Sequence, residues 1–490
     1  MAAHFVYNDP FRVAPFLFSV GPQAEPLRIP YNGTQVTPMN SLCNPLLPAL
    51  RHAAAVAIAA TLLAGAAQAQ ITNEALIGDA VSDADSSRYS DVGNAIERYG
   101  NRDIVAARTF LETAKRKSPK LPPVAVMLAK MHALAGNSKA IRPALEDCIT
   151  EAPDDPEPYL ILAEEAIRGN RTIEADALFD KAVKLMNEFD SNAKRKRDFQ
   201  IRAYSGRTRI AQARKKWDQA ESDLKALLEV DPENAAANFA QGQILFVMEP
   251  PRAREGLAAF DRARKLNDKL DHPYVAAGKT FESQGKSKEA MQYFEGAYKS
   301  AKDDESVLVA YGQALLREDK VEQAEKVLAA GLSTHPDSPN LWLLRGVAAR
   351  MKGDLDQAEK NLIKTVSLAP ANSVAYGQLA LTLIESSVEE TKLRALSFAA
   401  TSQKLAPENP DTNITLAWSL YENGQARQAS SLLQNLKLGN IDPDSTLLLA
   451  KILMINNQKE GAKKLLTQAL EDTRHIFVKR GEAEKMLASL

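Results

Sequence analysis

Between Ala107 and Ala469 one arrangement recurs: a small residue, a bulky apolar one four positions on, and a second small one three further. It reads Ala107, Leu111, Ala114 and, 34 residues later, Ile141, Leu145, Cys148. The same frame gives Ala290, Phe294, Ala297, then Ala324, Leu328, Gly331, then Ala358, Leu362, Thr365. Steps of three and four mark a single stripe of an α-helix. Ahead of one such stripe lies another, Tyr274, Ala277, Gly278 and Phe281, separated from it by Gly285-Lys286. That pair of residues reads as a short turn. The pattern predicts helix hairpins, with small residues where two axes approach and a bulky one filling the space beside them. A hairpin of this size cannot bury its stripe alone and needs a neighbour on each side, so a fixed period near 34 means an array and not one globular core.

Unit by unit, the residues resemble the tetratricopeptide repeat family. That family places an aromatic, a Leu-Gly pair and a second aromatic on the first helix, then Ala, an aromatic, Ala and a closing Pro. Trp342, Gly346, Gly353, Ala358, Leu362 and Pro370 follow this order, as do Tyr159, Leu162, Ala163, Ala175, Phe179 and Ala182. Closing prolines fall at Pro119, Pro153, Pro232, Pro336, Pro370 and Pro407. Proline suits a helix start, where its missing N–H has no partner to lose. The resemblance implies an all-α fold, a right-handed α-solenoid of about eleven stacked helix–turn–helix repeats, over residues 89–474.

Departures from the pattern carry further expectations. Gly256, Phe260 and Ala263 come two residues late, behind Met248-Glu249-Pro250-Pro251, and three extra residues fall around Ser386 to Thr391. Asn187 to Gln200 interrupts the array between its third and fourth units. The run Lys194-Arg195-Lys196-Arg197 inside it reads as a helix extension or an exposed loop, a solvated charged turn before a surface for anionic lipid. The fourth unit's first helix, Tyr204 to Ala213, lacks the expected Gly. Residues 475–490 read as a C-terminal capping helix, since an open end would expose an apolar face.

The segment before the array is of a different kind. Ala53 to Ala66 is almost pure Ala, Val, Ile and Leu, follows Arg51-His52 and ends in Ala67-Gln68-Ala69. Such a run with a small-x-small end is a signal peptide, predicting export to the periplasm or outer membrane with cutting between Ala69 and Gln70. It is too short to span a bilayer, which takes about 20 residues. A start at Met39 gives a leader of ordinary layout, so 39–69 is read as signal peptide and 1–38 as disordered or not part of the natural product. Residues 70–88 read as a linker. If the apolar segment stays uncut, the protein is instead a membrane-tethered or intracellular assembly factor.

Charge and rare residues narrow the function. Setting aside the three Lys/Arg and two Asp/Glu before Ala69 leaves 61 − 3 = 58 basic and 62 − 2 = 60 acidic residues, a net of −2. That balance argues against nucleic acid as a partner, which asks for a basic surface. Cys43 lies in the leader, so Cys148 alone remains and reads as a packed, inert thiol. His132, His272, His335 and His475 show no metal-ligand spacing, and His132 stands where the second aromatic of a first helix belongs. Asp79, Asp83 and Asp85 lack the Gly and distal Glu of a calcium loop. No phosphate loop, nucleophile elbow or Cys-x-x-Cys is present, and no stretch outside the repeats is long enough for a catalytic domain. The expectation is a non-catalytic scaffold that needs no cofactor.

In the resembled family the first helices line a concave groove that holds peptides or partner segments. Beside the packing stripe, the corresponding positions here are Lys130, Arg209, Gln243, Phe246, Lys279, Gln313, Arg317, Arg350, Gln378, Trp418 and Tyr421. Amide and guanidinium groups bond an extended backbone, and Phe246 or Trp418 are either apolar anchors or extra core aromatics. The Lys and Asn arrangement with which some relatives clamp a chaperone's C-terminal carboxylate is not evident. Other proteins or peptides are the expected partners; self-association is left open.

Overall fold

The computed structural model of the chain describes residues 71–77, 89–434, 436 and 441–490. The expected leader, its cut between Ala69 and Gln70, residues 1–38, and Asp79, Asp83 and Asp85 lie outside the described residues. Among the described residues the regular structure is helical throughout. A short α1 (Asn73–Ile77) comes first. Pairs then follow: α2 (Ser90–Gly100) with α3 (Ile104–Lys117), α4 (Val124–Leu134) with α5 (Ser138–Glu151), α6 (Glu157–Arg168) with α7 (Thr172–Glu188), and α8 (Ala193–Ala213) with α9 (Trp217–Val230). Next come α10 (Ala235–Val247) with α11 (Ala253–Leu266), α12 (Pro273–Ser283) with α13 (Ser287–Ser300), and α14 (Glu305–Arg317) with α15 (Val321–Thr334). The last pairs are α16 (Pro339–Lys352) with α17 (Leu355–Leu368), α18 (Ser373–Ile384) with α19 (Glu389–Leu405), α20 (Pro410–Glu422) with α21 (Ala426–Gln434), and α22 (Pro443–Ile455) with α23 (Lys459–Glu471). A final α24 (Arg480–Ala488) closes the chain. Among the described residues the fold is thus an all-α solenoid with eleven helix–turn–helix repeats.

The repeats group into two compact units, one within 38–336 and one within 337–490. Each repeat packs on its neighbours along the chain, and no shared core enforces a single unit.

The small–large–small frame is the buried stripe of each second helix. Ala107, Leu111, Leu145, Cys148, Ala175, Phe179, Ala182, Ala324, Leu328, Ala358 and Leu362 are fully buried. Small first-helix residues receive the bulky one: a methyl group on Gly278 would lie 2.5 Å from the Phe294 ring. The fourth repeat uses the same device across repeats. Gly206 on α8 faces Phe179 of the preceding α7, where a methyl would fall 2.1 Å from the ring. The helix over Tyr204 to Ala213, expected to lack a glycine, holds Gly206 two residues before the register position of Thr208, where it serves the third repeat's aromatic.

In nine of the pairs a tight turn joins the two helices through one residue in the left-handed region. Gly136, Gly285, Gly353 and Gly424 take it in four repeats, with φ of 72 to 78°. Arg102, Asn170, Lys215, Asp319 and Asn457 take it in others at 55 to 62°, against the steric preference of a side chain. First helices begin on side-chain caps: Asn234, Asp304, Ser338, Asn372, Asn409 and Asp442 each accept backbone N–H bonds of the first turn. Prolines at the first helical position in α12, α16, α20 and α22 fit the same rule.

Two end segments complete the packing. In the stretch expected to be linker, 73–77 is helical, with Leu76 and Ile77 buried against Val92, Met127, Leu128 and Met131. At the other end Phe477 and Ala483 cover Leu447, Leu453 and Leu466, so residues 475–490 shield the last hairpin.

Candidate binding face of the first helices

The groove positions read from the sequence all lie on first helices, and their surroundings separate them into four groups. Arg209 on α8 and Gln313 on α14 are exposed, and Gln243 on α10 is half-buried. Lys279 on α12 is exposed and pairs with Asp271 at 2.8 Å. These four stand at intervals of 34, 36 and 34 residues, one per consecutive repeat.

Other members are committed elsewhere. Phe246 is fully buried, with its ring 5.8 Å from Phe260, 5.7 Å from Phe281 and 5.5 Å from Tyr293. It is a core aromatic and not an apolar anchor for a ligand. The delayed α11 explains this, because Gly256 lets the ring slide between the helices; a methyl there would lie 2.6 Å from it. Arg317 is largely buried and ion-paired to Glu282.

Lys130 belongs to a charged cluster that composition and spacing did not reveal. It pairs with Glu157, which also takes Arg195 at 2.8 Å and has Arg202 3.9 Å away. Arg195 reaches Asp155 at 2.9 Å, and Arg202 reaches Glu164 at 2.8 Å. Burial alone would raise the Glu157 carboxyl, but Lys130, Arg195 and Arg202 outweigh it and hold the group down at about 2. The basic run 194–197 is the first turn of α8, not a solvated turn: Arg195 is 6 % exposed and its guanidinium lies over Phe189 and Phe199. Helix periodicity carried the signal that was missed, since Arg195, Phe199 and Arg202 share one face of α8 at steps of four and three.

A second polar group forms within 337–490. Arg350 is buried; it bonds Gln378 and lies 3.5 Å from Glu385, while its Nε has no hydrogen-bond partner. Glu385 takes Lys479 at 2.6 Å, and Asp444 accepts the N–H groups of Val478 and Lys479 at 3.0 Å each. Burial and like charge push Asp411 and Asp442 up to about 6. Trp418 is half-buried with Lys451 over its ring at 5.2 Å, and Tyr421 shares its hydroxyl with Ser430 at 3.3 Å. Glu385, Asp444 and Lys479 were not singled out in the sequence, because their meeting depends on the chain's return after α23.

Elsewhere the rare residues are packed. His132 is buried, bonds the Tyr99 hydroxyl at 2.8 Å and is lowered by burial. Burial, with nearby Asp155, Glu151 and Glu157, pushes the Cys148 thiol up to about 12, so it stays protonated and inert. Among the described residues no helix is long and apolar enough to cross a membrane.

Two family models match the chain. The tetratricopeptide repeat model covers residues 207–248, and that of the cilia and flagella-associated protein 70 C-terminal domain covers 252–489. The chain is a tetratricopeptide-repeat protein. Proteins built of these repeats generally mediate protein–protein interaction and are generally non-catalytic. No curated protein matches it. Among solved structures it is similar to Pseudomonas aeruginosa pilF, at 17 % identity and a TM-score of 0.31, over 44 % of this chain and 96 % of that one. It is also similar to the Cut9–Hcn1 hetero-tetramer of the APC/C (12 % identity, TM-score 0.36, 82 % and 90 % covered) and to yeast Tom70 (12 %, 0.33, 83 % and 96 %).

Proposed function

We propose that this tetratricopeptide-repeat chain is a non-catalytic scaffold, exported to the cell envelope, that gathers other proteins by holding their segments on its first helices. The row Arg209, Gln243, Lys279 and Gln313 carries this reading. It offers guanidinium, amide and ammonium groups at matching register on four consecutive repeats, and three of the four have no ion pair or side-chain hydrogen bond among the described residues. Donors and acceptors spaced this way suit the backbone of an extended segment. Arg317 and Arg350, bound to their own chain, leave the set. Export rests on the apolar run Ala53 to Ala66 and the Ala67-Gln68-Ala69 end.

Affinity capture from envelope extracts, comparing the wild type with an Arg209→Glu, Gln313→Glu double variant, tests the reading. A specific partner retained by the wild type and lost by the variant is expected; identical recovery would overturn it. The N-terminal residue of the native protein tests export, with Gln70 expected. Met1 would support the membrane-tethered or intracellular alternative.

A further inference from the structure

The position of α1 is not required by the repeat pattern. Residues 71–77 precede the first hairpin, and eleven residues, 78–88, separate them from Tyr89. The first repeat's own stripe, Val92, Ala95, Leu111 and Ala114, follows the repeat pattern, and Leu76 and Ile77 join its cluster from outside the hairpin. A five-residue helix is far too short to persist by its own hydrogen bonds, so its order comes from what it rests on. It rests on α2 and α4, first helices of consecutive repeats.

Its contacts are those of a ligand on that face. Leu76 is 0 % and Ile77 4 % exposed, both set among Met127, Leu128 and Met131. The carbonyl of Leu76, in the last turn of α1, accepts a bond from Lys130 Nζ at 3.3 Å. The last carbonyls of any helix lack internal partners and carry the negative end of its dipole, so a cation suits them. Lys130 is in turn fixed by the buried, ionised Glu157. The groove position assigned to Lys130 in the sequence is thus filled, by a segment of the same chain.

From this arrangement we infer that the first helices of repeats one and two form a docking site for a short helical turn ending in adjacent branched aliphatic residues, and that residues 71–77 are its tethered, displaceable occupant. A partner segment with this chemistry, two neighbouring aliphatics and a carbonyl in its last turn for Lys130, takes the same place when α1 leaves it. Because α1 belongs to the same chain, a free segment must displace an intramolecular occupant, so the site is closed to weak ligands and open to strong ones. The inference deepens the scaffold reading by naming a segment class for one part of the face. It stands apart from the row on α8 to α14, so loss of partner capture there would leave it intact, and its own failure would leave that row intact.

The test uses the full chain and a fluorescent, amidated peptide of residues 71–77, followed by anisotropy. A Leu76→Asp, Ile77→Asp variant vacates the site. It is expected to bind the peptide at least tenfold more tightly than the wild type, and a peptide carrying Leu76→Ala and Ile77→Ala is expected to bind neither. A variant that melts like the wild type and fails to bind the peptide would overturn the inference. Deuterium exchange on the wild type gives a readout free of any folding defect. Residues 71–77 should exchange at least tenfold faster than 125–131, and equal protection would make α1 a fixed part of the fold. A concentration-dependent dimer lost in the double variant would assign the occupant to a second copy and overturn the tethered form.

Discussion

Glu157 offers the sharpest test of how the first unit is held together. It is 2 % exposed and lies among Lys130, Arg195 and Arg202. Replacing it by Gln keeps the size and removes the charge those cations share. The carboxyl falls from 4.5 to about 2 on folding. At about 1.4 kcal/mol per pH unit between the two values, the ionised group contributes roughly 3 kcal/mol at neutral pH. Breaking a buried ion pair from one side costs up to about 3–5 kcal/mol, and here Lys130 loses its carboxylate while Arg195 and Arg202 keep Asp155 and Glu164. A folded value below the unfolded one means that the contribution is complete above pH 4.5 and is lost as pH falls toward 2. Denaturant melts read by the exchange of residues in α4, α6 and α8 should therefore show Glu157→Gln destabilised at pH 7. The gap should shrink by roughly 1 kcal/mol by pH 3.5. Wild-type stability at neutral pH, or a gap that does not change with acid, would refute the account of the cluster.

Other perturbations reach the remaining contacts. Phe246→Ala should cost about 3–5 kcal/mol in thermal melts, as a core aromatic does; a change in partner capture with intact melting would return Phe246 to the groove. Gly206→Ala drives a methyl into the Phe179 ring, and a loss of about 1–3 kcal/mol is expected by calorimetry. Ala358→Trp overpacks α16 against α17, so exchange should show unfolding beginning in that repeat, and an unchanged melt would mean that the repeat frame is shifted. Asp442, raised by burial and by Asp444, has a folded value of about 6 against 3.8 unfolded, so it favours the fold at low pH and weakens it as pH rises through 6. The 337–490 unit should melt higher at pH 5 than at pH 7.5, and Asp442→Asn, which can still cap Ser445, should flatten that difference.

The periodic stripe carried nearly everything about the helices. Ala107, Leu111 and Ala114, or Ala358 and Leu362, are buried because a residue's place on a helix face follows from local spacing alone. The hairpins, their turns and the closing helix could be read for the same reason, since each is settled within about one repeat. What escaped was whatever depended on the neighbour's geometry. Phe246 carried the right residue type at a groove position, yet the late α11 made room for it in the core. Arg195 sat in a run that reads as surface, yet two carboxylates at the start of α6 drew it inside. Lys130 was placed on the binding face by its register, but only the packed structure put Leu76 against it. Spacing along one chain fixes which side of a helix a residue occupies. Which partner meets it there is decided by how hairpins stack and where the ends of the chain return, and those distances are not written in any single repeat.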